Sequence, residues 1–340
     1  MTKYWTALCS ALLLVTVVTA QIPEGYYEGT DGMTGEALKS KLHEIIDDHD
    51  EHSYDDLRDF ILKNTDEDPE NTDNVILLYS GRSQAKSTFG GYADNWNREH
   101  VWAKSHGDFG NYPPEGTDAH HIRPTDVSVN SSRGNLDFDN GGQQHSEATE
   151  CNFDNDSWEP RDAVKGDVAR MLFYMAVRYE GGSGEEDLEL VDRVNTGSAP
   201  EHGKLSVLLE WHQQDPPDDF ETNRNEVIYG YQANRNPFID HPEYADYIWD
   251  ETAGIDREVS HTLSAWPNPA KSELTVELPK EYDPEYEPGV YSIIGQKYKL
   301  PVRSSGNQAV FDVGELPAGY YAVRLYNGRG KNYIVKFIKK

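Results

Sequence analysis

The sequence predicts an α+β domain followed by a small all-β module, on three observations. Apolar residues recur at helical spacing in several stretches before residue 260, and short apolar runs suited to buried strands lie between them. From residue 262 onward the chain changes to β-branched and aromatic runs separated by Gly, Pro and Asn. With 36% hydrophobic and 27% charged residues in 340 positions, there is enough apolar material for two cores, which excludes global disorder.

Residues 1–20 carry Lys3 and then a largely apolar run over 7–20 that ends in Val18, Thr19 and Ala20. The run is too short to span a bilayer, and its small terminal residues suit a signal peptidase, so it reads as a secretory signal removed before Gln21. A buried hydrophobic helix is the alternative, disfavoured by the terminal placement. No other segment approaches 18 consecutive apolar residues, so no transmembrane segment is expected. Cys9 leaves with the signal. Cys151 then stands alone, without an internal disulfide, and its acidic, polar surroundings suit a bystander rather than a nucleophile.

Residues 34–63 place Leu38, Leu42, Ile45, Ile46, Leu57, Phe60 and Ile61 at helical spacing, which predicts two amphipathic helices with Thr34 and Ser53 as N-caps. The run 75–83 predicts a buried strand, and 95–102 a second one. The Gly, Pro and Asp content of 107–118 predicts a loop. Residues 118–131 are expected to form a helix, with Pro124 in an early turn. Residues 164–181 carry the strongest helical pattern and end at Gly181 and Gly182. Residues 203–214, halted by Pro216 and Pro217, and 223–232 predict further helices. In the C-terminal part, runs at 274–278, 289–294, 309–313, 320–326 and 333–338 predict the strands of a small sandwich. The resulting division is a signal peptide at 1–20, a first domain at 21–260 and a β module at 261–340.

Charge follows the same division. The chain has 31 basic and 60 acidic residues, a net of −29. Residues 261–340 hold 11 basic against 8 acidic residues, whereas 21–260 hold 19 against 52, a net of −33. Such a balance argues against a partner gripped through many phosphates, because that affinity comes from Lys and Arg.

The densest cluster of chemically capable residues lies between 96 and 140, where four histidines, several arginines, Glu99 and several asparagines fall beside a loop. A hard-cation phosphodiesterase needs a carboxylate and an amide oxygen for the ion. It also needs a neutral His to take a proton from water and an Arg to offset charge on phosphate oxygens. Glu99, Asn130, His100 and either Arg123 or Arg133 supply those types. Adjacent residues on a strand face opposite sides, so spacing alone does not decide whether Glu99 and His100 share a site.

Five stretches carry a family resemblance: 80–83 (SGRS), 97–110 (NREHVWAKSHGDFG), 117–140, 156–181 and 223–244. In this order they resemble the bacterial endonuclease I family, secreted nucleases of the ββα-metal (His-Me finger) class. The resemblance implies that Glu99 ligates the metal, that Asn130 completes the protein's share of its shell, and that His100 is the general base. His120, His121, Arg123, Arg133 and Asn135 fall in the matching helix segment, as supports of the site or of phosphate. Ala103 stands where the family usually has Pro. Where some relatives carry a transition-state Arg in a Cys-containing insertion, this chain has only NYPPEGTD (111–118). Arg133 and Arg123 are therefore the phosphate-stabilising candidates, with Arg98 behind them. Residues 234–240, NRNPFID, read as packing.

The stretches 265–276 and 316–340 resemble the sorting domain of proteins exported by type IX secretion, an immunoglobulin-like sandwich. Together the resemblances imply a secreted or cell-surface, metal-dependent endonuclease of low sequence specificity. DNA is the expected substrate with RNA beside it, Mg²⁺ the expected cation before Ca²⁺ or Mn²⁺, and the secretion machinery a partner of the C-terminal module. The enzyme is expected to act as a monomer. An inactive surface-binding protein on the same scaffold is the alternative, and a zinc peptidase is disfavoured because His120 and His121 are adjacent rather than one helical turn apart. The acidity requires that nucleic acid be bound locally, through the cation and a basic patch of Arg98, Lys104, Arg123, Arg133 and Arg235.

Overall fold

The computed structural model describes residues 22–182, 184–249, 264–278, 288–292, 297–305, 308–326 and 332–340. The signal expected at 1–20, the boundary near 260 and the last two residues of the strand expected over 289–294 lie outside them.

The first domain is built around one buried helix. α1 (Gly35–Ile46) presents Leu38, Leu42 and Ile46 along a single stripe, all fully buried. After Ser53, whose side chain and that of Asp56 form a reciprocal capping box, a helical run proceeds through α2 (Tyr54–Asp56), a π-helical turn (Leu57–Ile61) and α3 (Leu62–Thr65). Three antiparallel strands follow: β1 (Glu67–Asp68), β2 (Asn71–Ile76) and β3 (Ser83–Ala85). Then β4 (Trp96–His100) pairs antiparallel with β5 (Ile122–Asp126), which runs into α4 (Val127–Arg133). α5 (Lys165–Arg178) is buried along its whole length, with α1 and α6 (Leu205–Gln214) against it. A helix buried all round reads apolar on every face, and residues 171–177 (MLFYMAV) do so. α7 (Asp219–Gln232), α8 (Pro237–Asp240) and α9 (Glu243–Trp249) complete the domain.

Two expectations are corrected here. The helix expected over 118–131 is strand as far as Asp126 and helix only from Val127. Pro124 explains this, since the residue before a proline is pushed into extended backbone and the proline has no N–H for a helix. Its carbonyl instead accepts from the Leu78 N–H at 2.9 Å. The strand expected over 75–83 ends at Ile76. Leu77, Leu78 and Tyr79 are fully buried, but they lie in a turn closed by Gly81 N–H to Leu77 O (2.9 Å), with Gly81 at φ +66°. The apolar run there marks burial in the core, not a ladder.

The C-terminal part contains two four-stranded antiparallel sheets. One pairs Glu273–Glu277 with Gln308–Asp312, the other Gly289–Ser292 with Gly319–Tyr326 and Gly319–Tyr326 with Asn332–Lys339. Inward residues of both sheets, among them Leu274, Val276, Phe311, Val323 and Phe337, form one apolar cluster. Among the described residues no helix is long and apolar enough to cross a membrane.

Candidate active site

The candidate site is carried by the β4–β5–α4 unit. Asp126 ends β5 and caps α4, its carboxylate accepting from the Ser128 N–H (3.0 Å) and, at a longer 3.5 Å, from the Val129 N–H. That cap fixes the helix start, and so places Asn130 one turn along, over β4. There the Asn130 amide donates to Asn97 Oδ1 (2.8 Å) and to the Arg98 carbonyl (3.3 Å). Both contacts use its Nδ2, which leaves Oδ1 as the atom available to a cation.

Glu99 and His100 occupy the last two positions of β4. Glu99 is buried, and its Oε1 accepts from the Tyr79 hydroxyl (2.7 Å) and faces Arg133 Nη1 at 3.2 Å. Burial raises its carboxyl above the usual range, against the opposing pull of Arg133 and the Tyr79 hydroxyl. Both partners meet Oε1, so Oε2 is the second oxygen available to a hard cation.

The His100 ring places Nε2 3.1 Å from the Gly116 carbonyl. A carbonyl can only accept, so Nε2 carries the proton and Nδ1 is left with a lone pair. Burial, with His121 next, holds this imidazole well below its ordinary value and hence neutral near pH 7. Tyr54 stacks on it at 5.6 Å between centroids, and the Arg98 guanidinium lies 3.4 Å over the same Tyr54 ring. Arg98 and His100 are two apart on β4 and so share a face.

The other expected residues divide by what holds them. Arg133 is 1% exposed and donates to the carbonyls of His100 (3.1 Å) and Val101 (2.8 Å) as well as pairing with Glu99. Arg123, also 1% exposed, pairs with Asp66 and with Asp167 (3.2 Å). His120 and His121 lie in a turn and not in a helix. Their Nε2 atoms meet the carbonyls of Asn234 (3.3 Å) and Glu115 (2.8 Å), and burial pushes both imidazoles down to about 4. Asn135 donates to Ser105 Oγ (3.2 Å), and its carbonyl meets His106 Nε2.

The basic patch is corrected. Arg123, Arg133 and Arg235 do not line a surface groove: all three are buried in ion pairs, Arg235 with Asp240 and Glu226. An acidic chain folds its arginines inward because each buried carboxylate needs a partner. Arg98 is half-buried, and Lys104 is exposed, bonded to Asn111 (2.8 Å).

Sequence reasoning missed a second group. His106, Asp137 and His202 are buried with one potential ligand atom each, all within 4.8 Å of one another, close enough to share a divalent cation. A cavity of about 190 Å³ lined by His106, Asp137, Asn135 and Asn195 opens beside them. Hydrogen bonds already occupy these atoms. Asp137 accepts from the Thr196 and Gly203 N–H groups (2.9 Å each), and Arg133 Nη2 lies 3.2 Å from His202 Nε2. No spacing rule joins residues so far apart in sequence. Tyr79, Tyr54 and Gly116 were missed likewise, because only tertiary contact brings them to β4.

The β4–β5–α4 unit thus places Glu99 and His100 at the end of a strand beside the helix-borne Asn130. The endonuclease I family model matches residues 34–243, and a secretion system C-terminal sorting domain matches 264–340. The chain is 64% identical over 225 residues to an extracellular ribonuclease of Bacillus subtilis (strain 168), covering 66% of this chain and 78% of that protein. It is 63% identical over 227 residues to an extracellular ribonuclease of Bacillus amyloliquefaciens, with 66% and 78% covered. An extracellular deoxyribonuclease of Aeromonas hydrophila is 27% identical over 128 residues, 36% of this chain and 49% of that protein. The chain belongs to the endonuclease I family. It is a nuclease, secreted or displayed at the cell surface, that ends in a sorting domain.

Proposed function

We propose that the chain hydrolyses phosphodiester bonds of both RNA and DNA with little sequence preference, His100 Nδ1 taking the proton of the attacking water. The observation that carries this reading is the bond from His100 Nε2 to the Gly116 carbonyl (3.1 Å), which presets the basic tautomer. Glu99 Oε2 and Asn130 Oδ1 are hard oxygen donors that suit Mg²⁺ better than a nitrogen-seeking metal, with Ca²⁺ or Mn²⁺ as substitutes. When bound there, the cation supplies charge stabilisation at the phosphate and its leaving oxygen. Arg133 and Tyr79 hold the Glu99 carboxylate in place and oppose the burial that would protonate it. Arg98, on the His100 face and less buried than Arg123 or Arg133, is the arginine we assign to the phosphate.

RNA stands beside DNA because the two relatives at 63–64% identity are extracellular ribonucleases. The chain acts as a monomer, with residues 21–260 catalytic and 261–340 an immunoglobulin-like sandwich addressed to the secretion machinery. Two sheets on one apolar cluster support the sandwich. His100→Ala is expected to lower cleavage of plasmid DNA and of RNA by about 100- to 10,000-fold, the range for a general base, with the fold intact. Full activity in that variant would overturn the assignment.

A further inference from the structure

Arg123, Arg133, Arg170, Arg178, Arg224 and Arg235 are each no more than 2% exposed. All six are paired with carboxylates of the same domain. A domain with 52 acidic residues over 21–260 thus keeps few cations for phosphates, and salt-dependent affinity from released counterions is small. Contacts besides Arg98 and the cation are therefore needed to hold the polymer at β4.

Tyr112 offers it. Its side chain is 76% exposed, and among the described residues it has no ring or cation partner. Its carbonyl accepts from the Gly116 N–H (2.9 Å), and the Gly116 carbonyl in turn holds His100 Nε2 (3.1 Å). The turn that displays the tyrosine is therefore the turn that orients the base. The turn is also stiff. Pro113 and Pro114 follow Tyr112 and restrict both their own backbone and that of the residue before them. A Cβ at Gly116 would lie 2.6 Å from Gly110 O and 3.0 Å from Asn111 Cα, so residues 110 and 111 close directly over it. The ring lies over Gly110, its Cδ2 at 3.5 Å from where a Cβ there would stand. A rigid, exposed aromatic ring is what an unpaired base stacks on, because every base has a π-face and little ordering entropy is lost.

We propose that Tyr112 is a stacking platform for an unpaired nucleobase next to the phosphodiester facing His100, which makes single-stranded RNA or DNA the preferred substrate. The inference rests on the hydrolysis reading above and adds the substrate form. It is tested with the full chain on oligonucleotides of one sequence, as single-stranded RNA, single-stranded DNA and a perfect DNA duplex, at saturating Mg²⁺. Tyr112→Ala is expected to raise KM on single strands about tenfold, within about 5- to 100-fold, with kcat almost unchanged and the duplex unaffected. Tyr112→Phe, which keeps the ring, is expected to behave as wild type. An effect on only one of the two single strands supports the platform for that polymer. An unchanged single-strand KM in Tyr112→Ala, an equal loss on the duplex, or a Phe variant as impaired as Ala would overturn it. A wild-type chain that cut none of the three would instead overturn the hydrolysis reading.

Discussion

Arg133 Nη1 lies 3.2 Å from Glu99 Oε1, and neither side chain is more than 2% exposed. The same guanidinium reaches the Val101 carbonyl (2.8 Å) and, at 3.2 Å, His202 Nε2. One residue thus joins the proposed cation ligand on β4 to the buried group of His106, Asp137 and His202. Removing one partner of a buried pair leaves an uncompensated charge, which is destabilising by about 3–5 kcal/mol. Arg133→Met is therefore expected to lower the unfolding free energy by that order in denaturant titration. It is also expected to weaken Mg²⁺ activation, because Glu99 without its partner protonates more readily.

The proposal that His100 is the base fixes an expected pH dependence of catalysis. Burial and the neighbouring His121 hold its imidazole well below the ordinary value of 6.5. As a base it works when neutral, so kcat/KM rises with pH through the folded-state value and is flat above it. The acid limb of the kcat/KM profile is expected to lie below pH 6.5. A limb at pH 7 or above would show that His100 is not the base.

Stability has its own acid limb. His120 and His121 are buried, and burial lowers both to about 4 from 6.5. In the unfolded chain they bind protons near 6.5, so between pH 6.5 and 4 the unfolded state holds more protons than the fold. Their contribution is full above pH 6.5 and is lost as pH falls toward 4, up to about 3 kcal/mol for each by the size of the shift. The thermal midpoint at fixed ionic strength is expected to fall steeply over that window. A midpoint flat between pH 6.5 and 4.5 would contradict the buried, neutral state of these rings.

Gly116 is expected to matter more than its lack of a side chain suggests. A Cβ there meets backbone at 2.6 Å, so the turn must shift, and with it the carbonyl that sets the His100 tautomer. Gly116→Ala is expected to lower kcat at least tenfold while the far-ultraviolet spectrum stays unchanged. Wild-type kcat in that variant would detach the turn from the base.

The candidate unit was legible in the sequence for a physical reason: Glu99, His100 and Asn130 lie on one short ββα unit, so residues near in sequence are near in space. The amphipathic helices were legible from their stripes, Leu38, Leu42 and Ile46 among them. Pro124 was misread because a proline fits either the first turn of a helix or a two-stranded ribbon, and the tertiary bond from Leu78 decided for the ribbon. Arginines within the matching segment were read as groove cations, yet burial of Asp66, Asp167 and Glu99 drew Arg123 and Arg133 inward. Such pairing is long-range and leaves no periodic trace. The buried His106, Asp137 and His202 were invisible for the same reason.

The two candidate cation positions separate in one experiment. A cation on Glu99 and Asn130 would serve chemistry, because both side chains are already held without it by Tyr79, Arg133, the Asn97 side chain and the Arg98 carbonyl. Chelation is then expected to abolish cleavage while leaving the thermal midpoint within about 2 °C, and Mg²⁺ to restore activity. A cation on His106, Asp137 and His202 would instead tie together segments on either side of the cavity and support the fold. That group already satisfies itself through Thr196, Gly203 and Arg133, and the adjacent guanidinium repels a second positive charge. Its occupation is therefore not expected, and His202→Gln is expected to lower stability without changing the chelator titration of activity. A chelator-induced fall in the thermal midpoint that His202→Gln removes would place a structural cation there.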